Sequence, residues 1–246
     1  MSLASSRGSV AVLTGAGISA ESGLSTFRGA GGLWEGRRVE EVAHPRAWAR
    51  DPVTVWRFYE ARRAQAATCA PNRGHLGLAR LGRRLGGRFT LATQNVDGLH
   101  EQAGSTHVLE LHGSLWRVRC TACGREEENR MVPLPVLPPR CTLCGGVQRP
   151  AIVWFDEVLP EGVFGAAVEA ASRCALFLIV GTSAVVQPAA SLAVIAAHAG
   201  ARVWEINPDE TPATGVCDRI WRAPAGEVMD EVVEEAIRCV SGAGSR

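Results

Sequence analysis

Four cysteines, Cys120, Cys123, Cys141 and Cys144, form two C-x2-C pairs separated by 17 residues. Each pair offers two thiolates from one tight turn, and two such turns facing each other build the tetrahedral S4 cage that Zn2+ favours. Four protein ligands leave no coordination position for water, so the expected ion is a single structural zinc. A second stretch, Gly15-Ala16-Gly17-Ile18-Ser19-Ala20, reads G-x-G-x-x-A after an apolar run. Glycines at that spacing let backbone N–H groups approach a pyrophosphate at a helix start. Hydride-transferring dinucleotide folds then need an acidic residue about 20 positions on, at a strand end. Glu35, Glu40 and Glu41 stand at that distance with no strand pattern to deliver them. Hydride chemistry therefore loses ground, and Ser183, Asn207 and Asp209 become the candidates to hold a nucleotide differently.

The elements that must position these groups are apolar, β-rich runs at 10–13, Phe89–Thr93, Leu176–Val180 and 203–206, which read as buried parallel strands. Helical patterns such as 188–198 and 228–239 separate them. The alternation predicts an α/β fold, a Rossmann-like parallel sheet with ligands at the carboxyl ends of its strands. Two segments break the pattern. Residues 33–82 hold tryptophan, arginine and alanine in helical spacing without a strand, and residues 116–150 hold the four cysteines and a proline-rich stretch. The expected division is a nucleotide-binding core from 1–32, 83–115 and 151–246, a helical insert at 33–82 and a zinc-binding insert at 116–150.

A net charge of +1, 46% apolar and 21% charged residues describe a soluble globular chain with no general attraction to nucleic acid or membrane. No export signal is read at the N-terminus, and the longest apolar stretch falls short of a membrane span. A cytoplasmic monomer is expected. The remaining cysteines, Cys69, Cys174, Cys217 and Cys239, read as small buried hydrophobes.

Taken together, GAGISAESGLSTFRGAGGLW at 15–34, TQNVDGLH at 93–100, LHG at 111–113, the four cysteines and GTS at 181–183 resemble the sirtuins, NAD-dependent protein deacylases, in order and over nearly the whole chain. The resemblance implies that NAD and an acyl-lysine of a protein substrate meet between the core and the inserts, and that nicotinamide and O-acyl-ADP-ribose are released. His112 matches the family's catalytic histidine, the base for the ribose hydroxyls, and a neutral imidazole suits that task at pH 7. Asn95, also catalytic by resemblance, and Asp97 are implied at the ribose and the nicotinamide amide, with Gln94 and Val96 nearby. Ala16, Ile18 and Arg28 are implied on the nicotinamide side, and Phe27 over the reacting ribose carbon. The resemblance further assigns to the cofactor Gly15, Gly17, Ser19, Glu21, Ser22 and Trp34, then Gly181, Thr182 and Ser183, and finally Asn207, Pro208, Asp209 and Ala225. The 26 basic residues are all arginine, which arginine-rich codon usage explains better than does a lysine-modifying enzyme that cannot be modified itself.

Tyr59 and Arg62, in FYEARR, stand three apart and so share a helix face. The pair resembles that of sirtuins removing succinyl, malonyl or glutaryl groups, whose acyl chains end in a carboxylate that arginine binds bidentately. Val153, Trp154 and Phe155, in RPAIVWFDE, resemble the edge on which the substrate peptide adds as a strand. Asp156 stands there where relatives usually have glycine, Ala151 where the subgroup often has histidine, and Gln187 replaces a common tyrosine. Two other readings stay open on sequence: protein ADP-ribosyl transfer from the same pocket, separable by its products, and a catalytically silent NAD-sensing scaffold.

Overall fold

The computed structural model describes residues 8–25, 33–34 and 37–241. In chain order, β1 (Val10–Thr14) is followed by a 3-10 helix (Ala16–Ser22), the hairpin β2 (Leu33–Trp34) and β3 (Arg37–Arg38), and helices α1 (Val39–Val42), α2 (Pro45–Arg50), α3 (Pro52–Ala67) and α4 (Arg73–Leu85). Next come β4 (Phe89–Thr93), α5 (Leu99–Gln102), β5 (Leu109–Glu110), β6 (Gly113–Cys120), β7 (Glu126–Glu128) and β8 (Gln148–Ile152). The chain ends with α6 (Glu161–Arg173), β9 (Leu176–Val180), α7 (Ser191–His198), β10 (Arg202–Ile206), β11 (Arg219–Trp221) and α8 (Ala225–Ser241).

Six strands form one parallel sheet in the order β11-β10-β9-β1-β4-β5. All five residues of β1 are buried because helices cover both faces. Val10 and Val12 face one layer, with Leu78, Leu81 and Leu85 of α4 and Met229, Val232 and Val233 of α8. Ala11 and Leu13 face the other, with Ala167 and Ala171 of α6 and Leu192 and Ala193 of α7. Each fully buried aliphatic side chain contributes on the order of 2 kcal/mol. The four expected strands are present, and the two that sequence reading did not anticipate, β5 and β11, are short edges of two and three residues.

The structure revises the expected insert at 33–82 in two ways. It contains the antiparallel hairpin of β2 and β3. Its last helix, α4, belongs with the core, since leucines at 78, 81 and 85 make one stripe that packs between the sheet and α8. Helices α1 to α3 instead share a third apolar cluster with the zinc segment: Val55, Trp56 and Tyr59 meet Leu115, Trp116 and Val118 of β6, Ile152 of β8 and Trp154. Strands β7-β6-β8 form an antiparallel sheet in that cluster. Arg63 ties the halves together. Only 1% exposed, its guanidinium donates to the carbonyls of Leu115 at 3.0 Å, Asn129 at 2.8 Å and Met131 at 2.9 Å, and to Asn129 Oδ1 at 2.9 Å.

Candidate active site

The carboxyl ends of β1, β4 and β9 converge where the strand order reverses, the position at which open parallel sheets bind ligands. Gly15 N donates to Val180 O at 3.1 Å and Gly17 N to Gly181 O at 2.7 Å. A Cβ on Gly15 would stand 2.7 Å from Thr182 Cβ, one on Gly17 2.7 Å from Gly181 O, and one on Gly181 2.3 Å from Ile18 N. The glycines are thus required first by contact between two chain segments, before any approach to a pyrophosphate. The helix that follows is 3-10 rather than α.

A chain of hydrogen bonds fixes the loop after β4. Thr14 Oγ1 donates to Thr93 Oγ1 at 2.7 Å, which also accepts from Asn95 N at 3.0 Å. With its proton so used, Thr14 Oγ1 accepts from His100 Nε2 at 2.9 Å. On the other side, Asn72 N donates to His75 Nδ1 at 3.3 Å, which puts the His75 proton on Nε2, 3.3 Å from Ser19 Oγ. Ser19 Oγ in turn donates to Asp97 Oδ2 at 2.8 Å, and Asp97 Oδ1 accepts from Leu99 N at 2.9 Å. Burial raises the Asp97 carboxyl, with these bonds and the charge of Arg62 opposing the rise. Burial also depresses both imidazoles, His75 to about 4 and His100, further lowered by His75, to about 3. Asn95 commits its amide donors to Gly15 O at 3.0 Å and Ser19 Oγ at 3.2 Å, so what it offers a ligand is its carbonyl oxygen.

His112 lies in the two-residue link between β5 and β6. Its Nδ1 lies 3.0 Å from Gln94 O. A carbonyl can only accept, so the proton sits on Nδ1 and Nε2 carries the lone pair. Burial lowers the imidazole from 6.5, outweighing the opposing bond to Gln94, so the ring is neutral at pH 7. Gln94 holds its own position through Nε2 to Thr182 Oγ1 at 2.8 Å. His112 O accepts from Val153 N at 3.0 Å, which sets the 153–157 segment beside the histidine.

Tyr59 and Arg62 are both buried, at 0% and 6% exposure. Tyr59 Oη accepts from Trp154 Nε1 at 2.9 Å. The charge of Arg62 bears on both Tyr59 and Asp97, so this pair and the loop after β4 share one electrostatic neighbourhood. The four cysteine sulfurs lie within 4.8 Å of one another, with Cys120 and Cys144 3.5 Å apart and Cys123 and Cys141 3.8 Å apart. Tetrahedral Zn–S bonds near 2.3 Å require separations of about 3.8 Å. Bonds from Gly124 N to Cys120 O at 3.1 Å and from Gly145 N to Cys141 O at 2.9 Å close the two turns. The Cys123 backbone N–H lowers the Cys120 thiol to about 6, toward the thiolate that binds metal. The set fits one Zn2+.

A model of the family described as "Sir2 family" matches residues 15–188. NAD-dependent protein deacylase 1 of Archaeoglobus fulgidus is 50% identical over 93% of this chain and 93% of its own. NAD-dependent protein deacylase 2 of Pyrobaculum aerophilum is 51% identical over 96% of this chain and 94% of its own. The chain belongs to the Sir2 family. It is an NAD-dependent protein deacylase. Among solved structures, a Sir2 homologue bound to NAD superposes with a TM-score of 0.86 at 47% identity, covering 97% of this chain and 93% of that one. A Sir2 complex with a p53 peptide and NAD+ superposes with a TM-score of 0.80 at 31% identity, covering 92% of each chain.

Within this Sir2 fold several residues assigned to the ligands are engaged elsewhere. Ile18 is fully buried in the layer beneath α4 and α8. Glu21 Oε2 accepts from Gly226 N at 2.7 Å and so caps α8, whose first residue, Ala225, packs into the same layer. Ser22 Oγ accepts from Asn72 Nδ2 at 2.9 Å. Val96 packs in the small-domain cluster. Trp154 is 2% exposed, and its indole donates to Tyr59 Oη. Ala16, Ser183, Pro208, Asp209, Val153 and Phe155 keep surface. Thr182 is buried, and its carbonyl accepts from Asn207 Nδ2 at 2.7 Å. Phe27, Arg28 and the side chain of Trp34 lie outside the described residues.

Sequence reading missed Asn72, His75, Thr14, Arg63, Arg149 and Glu157 as supports. Only Asn72 left a signal, as an N-cap ahead of a leucine-striped helix. Asp156 has a φ of +66°, a conformation that favours glycine, so the aspartate is strained where a glycine would not be. Asp156 Oδ2 accepts from His44 Nε2 at 2.9 Å, which anchors the strained residue to the N-cap of α2.

Proposed function

We propose that this Sir2 deacylase removes acyl groups ending in a carboxylate, namely succinyl, malonyl and glutaryl, from protein lysines in preference to or alongside acetyl. The observation that carries the reading is a buried arginine and tyrosine on one face of α3, beside Asp97. Arginine supplies paired planar donors and the phenol a third, a set complementary to a carboxylate. A terminal carboxylate can accept from those donors, and a neutral acyl chain cannot.

NAD supplies the ribose carbon that takes the acyl oxygen as nicotinamide leaves. The residues of this chain do the rest. Gly15, Gly17 and Gly181 bring the β1 and β9 loops together, with Gln94, Asn95, Ser183 and Asn207 as polar contacts for the dinucleotide. His112 Nε2 takes the proton of a ribose hydroxyl and Gln94 O accepts from Nδ1–H, stabilising the imidazolium that forms. Asp97 and Ser19 orient the loop that carries Asn95. Zinc, with no open ligand position, braces the small domain. In this reading the core comprises the parallel sheet with α4 to α8, and the small domain comprises α1 to α3 with the zinc segment.

Turnover of matched acetyl- and succinyl-lysine peptides with NAD tests the proposal. His112→Ala should abolish both reactions and Arg62→Met should mainly harm succinyl removal. Equal loss of both activities in Arg62→Met would refute the carboxylate clamp.

A further inference from the structure

Beyond Val153, which is bonded to the carbonyl of His112, the chain runs over the surface. Phe155 N donates to Ala43 O at 3.0 Å and Glu157 N to Trp154 O at 3.0 Å. The Glu157 carboxylate accepts from Trp154 N at 2.8 Å and from Arg149 at 2.6 Å and 2.9 Å. The N–H groups of Asp156 and Val158 have no partner among the described residues, and both residues are exposed, Val158 to 91%. Exposed main chain with unpaired N–H groups can take an extended peptide alongside it. An acyl-lysine that reaches the ribose beside His112 brings its own main chain past this stretch.

Asp156 puts a charge there. Its side chain is 69% exposed, and its Oδ2 accepts from His44 Nε2 at 2.9 Å. The same imidazole accepts at Nδ1 from Arg46 N at 3.0 Å, so it is the Nε2–H tautomer without net charge, and it orients the carboxylate without neutralising it. No arginine pairs with Asp156 among the described residues, whereas the neighbouring Glu157 is paired with Arg149. We propose that Asp156 is a specificity-determining residue for the substrate protein, selecting acyl-lysines that lie next to a basic side chain. The inference rests on the base role of His112 and on the stretch after Val153 as the substrate edge, and it is independent of the acidic-acyl reading. Facing side chains of an added strand stand about 5 Å apart at Cβ, where an opposite charge is favoured and a like charge is not. An arginine or lysine beside the acyl-lysine thus meets a fixed, unpaired carboxylate, and a glutamate at the same place is repelled.

Charge-swapped peptides test this. kcat/KM is measured with NAD and peptides that carry one acyl group throughout, acetyl or succinyl, whichever turns over faster. They differ only in arginine or glutamate at a single position, taken in turn on each side of the acyl-lysine. The parent is expected to favour arginine about fivefold at one position or more. Asp156→Asn keeps the shape and the bond from His44 and removes the charge. Asp156→Gly also relieves the backbone, so folding is not at risk in that variant. In both the preference should disappear, through KM with kcat kept, and in the parent it should fade as salt is raised, because an exposed pair is screened. A merely structural role for Asp156 would move neither the arginine preference nor its salt dependence. No arginine preference at any position, or one that persists in Asp156→Asn, would overturn the inference. Val158→Pro checks the edge beneath it, since it removes an N–H that has no partner in the chain: KM should rise for every peptide alike. An unchanged KM there would overturn the edge and this inference with it.

Discussion

Arg62 and Arg63 are neighbours on α3 with separate tasks: the charge of Arg62 bears on Asp97 and Tyr59, whereas Arg63 donates to three main-chain carbonyls of the zinc-bearing half. Consecutive helix residues point about 100° apart, so one arginine can serve the pocket while the next serves the scaffold. Removing Arg63 takes the donor from the buried Leu115 carbonyl and from the partly exposed Asn129 and Met131. Arg63→Met should cost on the order of 3 kcal/mol of stability. Chemical denaturation checks this, and an unchanged unfolding free energy would contradict it.

The acid limb of deacylation should have its midpoint below pH 6.5, because burial lowers the His112 imidazole from that value and the base works only when neutral. A pH profile of kcat reads it directly. A midpoint above 6.5 would show that the titrating base is not His112 in this setting.

His75 and His100 predict an acid sensitivity of the fold itself. Their folded values, about 4 and about 3, lie below the 6.5 of the unfolded chain. Between these limits the unfolded state binds more protons, so stability is present above pH 6.5 and is lost as pH falls toward 4. The His75 contribution alone is on the order of 3 kcal/mol. Unfolding free energies at a series of pH values check it. His100→Asn should flatten the slope, and an unchanged slope would argue against the buried pair as its source.

Chelation should disrupt the segment around Cys120, Cys123, Cys141 and Cys144, since four thiolates without a metal repel one another. Arg63 and Trp116 lie in the adjoining core, so tryptophan fluorescence should shift and activity fall together. Metal analysis should find one zinc per chain. Retention of full thermal stability after complete zinc removal would refute the bracing role.

Much of the fold was legible because buried parallel strands are written as short apolar runs, and the zinc site because ligand spacing is local. The supports of the site were less legible. His75, Arg63 and Glu157 act across 56, 52 and 8 positions of sequence, and no local pattern announces such partners. Helix α4 was grouped with the wrong layer because a leucine stripe records that a helix is covered, not by what. Ile18 and Trp154 sit inside recognisable motifs and are both buried, and the spacing of a motif does not say which of its side chains keep surface.

The small-domain core has a consequence for the order of folding. It joins Leu24 and Val42 through Ala66 to Leu115, Val118 and Trp154, so neither insert can bury its apolar face alone. Contacts so distant in sequence form late. On a translating ribosome Trp56 of α3 must wait for β8 to emerge, and the cysteine cage is completed just before the segment that closes the core over it.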